Sequence, residues 1–496
     1  MTRTLALVLG TLALAGCVTY ERPPEHALGP DERDCAAWYG ALDAQVAAAG
    51  VRDAQDSPVP GFPYLRVSRF LASYRDLAST GDAPLQAWTD RLLELDLAAR
   101  RHEVANLPDA HIEQLPDPEA RLTRGSVLRH TARCGRLLRD ADLQRPSRRA
   151  ALAERARVPD DYSTAQRVLG LYALSRRAFA EGVRRYEEET RLAYRERPAA
   201  ASGIVVRYSP PHVSLPPREA VAAMLRRAAQ NPLAIPQPAE AELETLFALH
   251  APVFEVEITG DHDRFGALRW RRGSEVPDVD ASDLVVYRHA AWVRYQGRAL
   301  LQLVYTIWFS ERPPDSEGDI YAGALDGLTW RVTLDPEGEP LVYDSIHPCG
   351  CFHLFFPTPR ARALPAPDPI EEWMFSPLSL PRLAPGARPL LRVVPRTHAL
   401  VGVALERGAE SLARYALRPY DELRSMQRLD GGLRSAFGPD GLIAGSERME
   451  RLLFWPMGIA SAGAMRQWGR HATAFVGRRH FDDADLFERR FVFDLQ

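Results

Sequence analysis

No lysine occurs anywhere in the 496-residue chain, so all 62 of its strongly basic residues are arginines. That absence removes a group of chemistries. Schiff-base formation, pyridoxal phosphate attachment, the P-loop and kinase lysines and the Ser-x-x-Lys penicillin-binding site all need an amine, which a permanently protonated guanidinium cannot replace. His-Glu-x-x-His, Gly-rich dinucleotide-binding and haem-attaching Cys-x-x-Cys-His motifs are missing too. A formal charge of -3 excludes a strongly basic nucleic-acid binder. Past the N-terminus the longest apolar stretches, 300–309 and 454–465, fall short of the ~18 residues that cross a bilayer. No repeat of fixed period is present.

Arg3 is followed by the uncharged apolar run Leu5-Ala6-Leu7-Val8-Leu9-Gly10-Thr11-Leu12-Ala13 and then by Leu14-Ala15-Gly16-Cys17. The first two features are the n-region and h-region of an export signal. The last four residues resemble the bacterial lipobox at every position. That resemblance covers the signal only and implies diacylglycerol on the Cys17 sulfur, cleavage after Gly16 and an acylated new amine. Each buried acyl methylene contributes about 0.8 kcal/mol, so several chains together hold a protein on a membrane. Val18, where an aspartate would favour inner-membrane retention in the enterobacterial sorting rule, implies the outer membrane, facing the periplasm. The mature region resembles no family.

Four cysteines remain, an even number for an oxidising compartment. Cys35 and Cys134 fall in helical-looking segments of one region and are predicted to pair as a disulfide. Hydrophobic residues at 46% and charged residues at 26% fit a folded protein, and the length calls for two or more domains. The predicted organisation is α+β: signal 1–16, lipidated tether 17–30, α-helical domain 31–197, and an α+β domain 203–496 built on an antiparallel sheet with flanking helices. Strand formers over about 252–356, with Gln296-Gly297 and Asp335-Pro336-Glu337-Gly338 as turns, give the core hairpins. A proline-rich connection covers 357–389 and a mixed part 390–496, with a helix broken at Pro456 expected over 446–468.

The most reactive-looking segment is His347-Pro348-Cys349-Gly350-Cys351-Phe352-His353. In an extended strand the two histidines and two cysteines would share one face. Same-face neighbours there lie about 7 Å apart, too far to wrap one tetrahedral ion unless Pro348 and Gly350 bend the chain. Three readings compete: a copper or zinc site of two or three of these side chains, with His250, His289 or water completing it; a Cys349–Cys351 redox couple; or a structural loop.

Weaker candidates have plainer readings. His250 and His289 suit packing, Asp278, Asp280 and Asp283 a solvated turn, and Asp482, Asp483, Asp485 and Glu488 a helix start. Ser461 misses the Gly-x-Ser-x-Gly elbow by one residue. Trp292, Tyr295, Tyr305, Trp308, Phe309, Tyr321 and Trp330 suit a sheet core better than a groove for peptide or glycan. The functional expectation is a lipid-anchored envelope protein with a binding or assembly role toward an envelope protein or cell-wall ligand. The alternative is a periplasmic copper, zinc or thiol-redox protein.

Overall fold

The computed structural model describes residues 28–79, 81–116, 122–196, 203–212, 216–408, 411 and 413–495. The predicted signal, Cys17 and most of the tether lie outside the described residues.

The first region is helical around a small hairpin. Helix Arg124–Leu143 starts at a reciprocal capping box, in which Thr123 Oγ1 accepts from the Ser126 amide and Ser126 Oγ from the Thr123 amide. It buries Val127, Thr131, Cys134 and Leu138, a stripe at helical spacing, and turns its arginines outward. That stripe meets Trp38, Tyr39, Leu42 and Val46 of helix Pro30–Ala48 in one apolar cluster with helix Asp82–Asn106 and strand Phe62–Val67. Cys35 and Cys134 form a disulfide between helices Pro30–Ala48 and Arg124–Leu143.

The second region holds two sheets. The larger has the order Leu354–Pro357, Pro340–Ile346, Gly323–Leu334, Arg298–Arg312, Val285–Tyr295, Ala416–Pro419, antiparallel throughout except for its last pair. Both turns read from the sequence join strands here. The smaller sheet runs Leu400–Arg407, Ala387–Val393, Val253–Ile258, Ile204–Ser209, Ala413–Arg414 and contains two parallel pairs. Leu301, Leu303, Tyr305, Ile307 and Phe309 alternate along one strand, and with Phe254, Val256, Leu391 and Val393 of the other sheet they form a shared core. The fold is α+β.

Two local expectations differ from what is seen. Strand Val253–Ile258 belongs to the smaller sheet, because its partners Ala387–Val393 and Ile204–Ser209 come from segments distant in sequence. The helix expected over 446–468 is reduced to Glu450–Leu453 and a 3-10 turn, Trp455–Met457, since Pro456 and the left-handed Gly458 and Gly463 end it.

Helix Tyr172–Arg195 leaves the other helices and lies on the second region, with Tyr186 against Phe352 and Phe375 and Tyr194 against Phe356. The Tyr194 hydroxyl donates to the Leu400 carbonyl at 2.8 Å. This long helix is thereby held over the edge of the larger sheet.

Candidate functional site

Residues 347–353 form the link between strand Pro340–Ile346 and the edge strand Leu354–Pro357, and that link is a tight turn rather than an extended strand. The Gly350 amide donates to the His347 carbonyl at 2.8 Å and the His347 amide to the Cys351 carbonyl at 3.0 Å. Pro348 occupies the second turn position, where its fixed φ fits. Gly350 has φ +92, and a Cβ there would sit 2.5 Å from the Ala472 carbonyl oxygen, so only glycine closes the turn.

The turn separates the four candidates. His347 is buried and pairs with Asp326 at 3.2 Å. Asp326 also meets His398 at 3.0 Å and Arg448 at 3.4 Å, and His398 reaches Asp263 at 3.4 Å. His353 points elsewhere: its Nε2 meets Asp344 at 2.8 Å, its Nδ1 meets Thr473 Oγ1 at 3.3 Å, and Asp344 is also held by Arg331. Burial pushes the His353 imidazole down to about 3, so the ring is neutral, oriented by a carboxylate. Among the described residues no group of three or more His, Cys, Asp or Glu side chains converges on a point that could hold a metal ion.

The two cysteines do come together. Both are free thiols whose ionisations are linked, with Cys349 buried and Cys351 half-buried. Interaction with Cys351 lowers the first thiol to ionise, Cys349, with the Arg448 charge helping against burial. The same interaction, together with burial, holds the remaining proton on Cys351 well above the usual thiol range.

Cys351 opens onto a cavity of about 630 Å³ roofed by helix Tyr172–Arg195. Its apolar walls are Phe179, Val183, Tyr186, Phe352, Phe375 and Phe454, with Phe475 stacked on Phe454 at 4.1 Å. The polar lining falls into two groups. Glu450, Arg312 and Tyr321 stand near Cys351, and burial pushes the Glu450 carboxyl up to about 7 against the charges of Arg448 and Arg312. Glu372, Arg479, Thr473 and His353 form the second. Glu372 Oε1 accepts from the amides of Phe475 at 2.6 Å and Val476 at 2.9 Å, yet burial still raises its carboxyl. A carboxyl near pH 7 beside thiols can take or return a proton, and aromatic walls of this size enclose a small molecule.

Helical spacing sets the roof. Ala178, Gly182 and Tyr186 recur every four residues on the lining face, as do Phe179, Val183 and Glu187. Gly182 lies in mid-helix at the mouth, and a Cβ there would meet nothing within 4 Å. Packing does not require that glycine, which costs the helix about 1 kcal/mol relative to alanine.

The weaker candidates are engaged elsewhere. His250 is buried without a hydrogen bond, and His289 packs on Trp468 at 4.8 Å. Asp278 pairs with Arg271, Asp283 with Arg269 and Arg418, and Asp280 accepts from Ser282. Asp482, Asp483 and Asp485 pair with Arg69, His480 and Arg489 in turns rather than at a helix start. Ser461 sits in a turn at φ +46. Trp308, Trp330, Tyr305 and Phe309 are core, whereas Tyr321 lines the cavity. Helical spacing over 163–194 is legible in the sequence, but sequence reasoning missed that this helix roofs a cavity, and it missed Glu450, Glu372 and Arg479. Gly182 inside a helical run was the one local signal pointing there.

No known protein family, no curated protein and no solved structure matches this chain.

Proposed function

We propose that this chain is a lipid-anchored protein of the bacterial cell envelope that binds a small, largely apolar molecule beneath helix Tyr172–Arg195. The anchor rests on the lipobox resemblance at Cys17, and labelled palmitate should enter the chain but not its Cys17→Ala variant. The binding reading is carried by the cavity itself: about 630 Å³ lies within the range that small-molecule sites occupy, with aromatic walls and a few ionisable groups. The unpacked glycine at its mouth supports it, since a bare backbone keeps the entrance open.

The test is saturable binding of the apolar dye N-phenylnaphthylamine, read as fluorescence enhancement. Gly182→Trp should block the entrance and abolish the signal while the melting temperature holds. Equal dye binding by the variant would overturn the reading.

The paired thiols favour a second role at the same place, thiol–disulfide exchange. Cys351, the one of the pair that lines the cavity, would give its proton to Glu450 and attack a disulfide substrate, releasing one substrate thiolate and forming a mixed disulfide. A Cys349 thiolate would then attack the Cys351 sulfur and displace the second substrate thiolate, leaving Cys349 and Cys351 bonded. Two free thiols per chain that vanish on equilibration with oxidised glutathione and return with dithiothreitol would support this. Thiols unchanged by either reagent would sink it. The copper or zinc reading keeps only the two thiols as ligands, and metal content of protein purified anaerobically tests it against Cys349→Ser/Cys351→Ser.

A further inference from the structure

Large apolar side chains exposed to water are concentrated in two stretches that meet in space. Val168, Leu169, Leu171 and Leu174 are 63–74% exposed, and Met449, Leu452, Leu453 and Trp455 are 38–65% exposed. The stretches are packed together at their bases. Arg167 Nε donates to the Met457 carbonyl at 2.8 Å, the Ser163 amide donates to the Gly458 carbonyl at 2.7 Å, and a Cβ on Gly170 would lie 2.6 Å from Pro456 Cα. Phe179 and Phe454 then join them beneath the surface, with ring centres 5.6 Å apart. The result is one apolar ridge rather than scattered leucines, the kind of surface that marks a protein or membrane contact.

Charge identifies the partner. Arg176, Arg177 and Arg451 flank the ridge, and among the described residues none of the three has a carboxylate within ion-pair distance, in a chain where most buried and many exposed arginines do. Leucines with a tryptophan, bordered by unpaired cations, form the pattern of a surface that enters the headgroup layer of an anionic bilayer. Moreover, the ridge is continuous with the cavity mouth, because Leu453 belongs to both and Leu174 continues along the helix face to Ala178 and Gly182.

We propose that the ridge formed by 168–174 and 449–455 docks on an anionic lipid surface and turns the cavity mouth toward the bilayer. It rests on neither Cys17 acylation nor dye binding, because the ridge exists without either. Where both hold, the lipid anchor keeps the chain at the membrane and the ridge orients it.

The experiment uses the chain from residue 17 onward with Cys17→Ser, which retains every described residue and cannot be acylated. It is sedimented with vesicles of phosphatidylcholine, with or without phosphatidylglycerol. Wild type should pellet with the anionic vesicles and be released by salt. Leu169→Glu/Leu174→Glu/Leu453→Glu should bind at least about tenfold more weakly, since each loses apolar burial and adds a repelled charge. Arg176→Glu/Arg177→Glu should lose the preference for phosphatidylglycerol. All changed side chains but the half-buried Arg176 are exposed, so unchanged melting temperatures separate binding from folding. A wild-type chain that stays in the supernatant with both vesicles, or variants that pellet equally, overturns the proposal. Wild type that self-associates while the leucine variant does not also overturns it, by assigning the ridge to a second copy of this chain. Wild type that binds the dye yet stays in the supernatant would count against this docking alone.

Discussion

Around Arg66 charge is buried against charge, whereas around Glu450 it is buried against an opening. Arg66 contacts Asp96 and Glu103, Arg100 contacts Asp43, Asp96 and Glu103, and Asp53 receives Arg424 through two nitrogens at 2.8 and 2.9 Å and Gln467 at 3.1 Å. Only Asp96 Oδ2 and Arg100 Nε in that core cluster lack a hydrogen bond. The cavity gathers Glu450, Glu372, Arg479 and the Cys351 thiol around space that no side chain fills. Both regions shift protonation strongly, as Asp56 beside Asp53 and Arg424 is also raised to about 7 by burial. A perturbed pKa therefore does not distinguish a site from a scaffold here. What distinguishes them is whether a molecule can reach the group.

The largest break in this comparison is Arg66→Met. Removing the cation leaves Glu103 and Asp96, both fully buried, facing each other with one guanidinium fewer. Loss of one partner from a buried ionic cluster costs about 3–5 kcal/mol. Urea unfolding should shift to a much lower midpoint, while dye binding and thiol reactivity of the folded fraction stay at wild-type levels. A folded Arg66→Met protein with altered cavity thiols would show that the two regions are coupled.

Glu450→Gln comes next and acts on the other side. Burial raises the Glu450 carboxyl from its ordinary 4.5 to about 7, so the folded state holds this proton across a window where the unfolded state has lost it. Stability is then fully present below 4.5 and falls as pH rises through about 7, by on the order of 3 kcal/mol. The glutamine variant should lack that fall, measured as urea midpoints from pH 4 to 8. Its thiols should also alkylate several-fold faster at pH 8, because the ionised carboxylate opposes thiolate formation at both cysteines. Identical pH profiles in the two proteins would mean that Glu450 is already ionised well below neutrality.

How far the sequence foretells these regions depends on how local their causes are. The hairpins at Gln296-Gly297 and Asp335–Gly338 are written in adjacent residues. Even the disulfide follows from two cysteines in neighbouring helical patterns. The smaller sheet does not, since strands near 204, 253, 387 and 400 must meet across long connections that carry no pairing signal. Within 347–353 alternation suggested one face, but Pro348 and a left-handed Gly350 make a turn, sending His347 to Asp326 and His353 to Asp344. The cysteines stay together because a turn brings i and i+2 close. Nothing near Glu450 in sequence announces Cys351, so the cavity is legible only once helix Tyr172–Arg195 has been placed over both.

Gly182 gives the smallest effect and the sharpest distinction between scaffold and site. If the glycine were there for packing, adding a methyl group would clash, yet an added Cβ meets nothing within 4 Å. Alanine should therefore stabilise the helix by about 0.5–1 kcal/mol through propensity alone. The gain is read as a higher urea midpoint with unchanged slope. Dye affinity should barely move for alanine and disappear for tryptophan, because a methyl group narrows the mouth slightly and an indole fills it. A series in which stability rises with alanine while binding falls only with bulk assigns Gly182 to access. Destabilisation by alanine would instead place the glycine with Arg66, among residues that hold the fold.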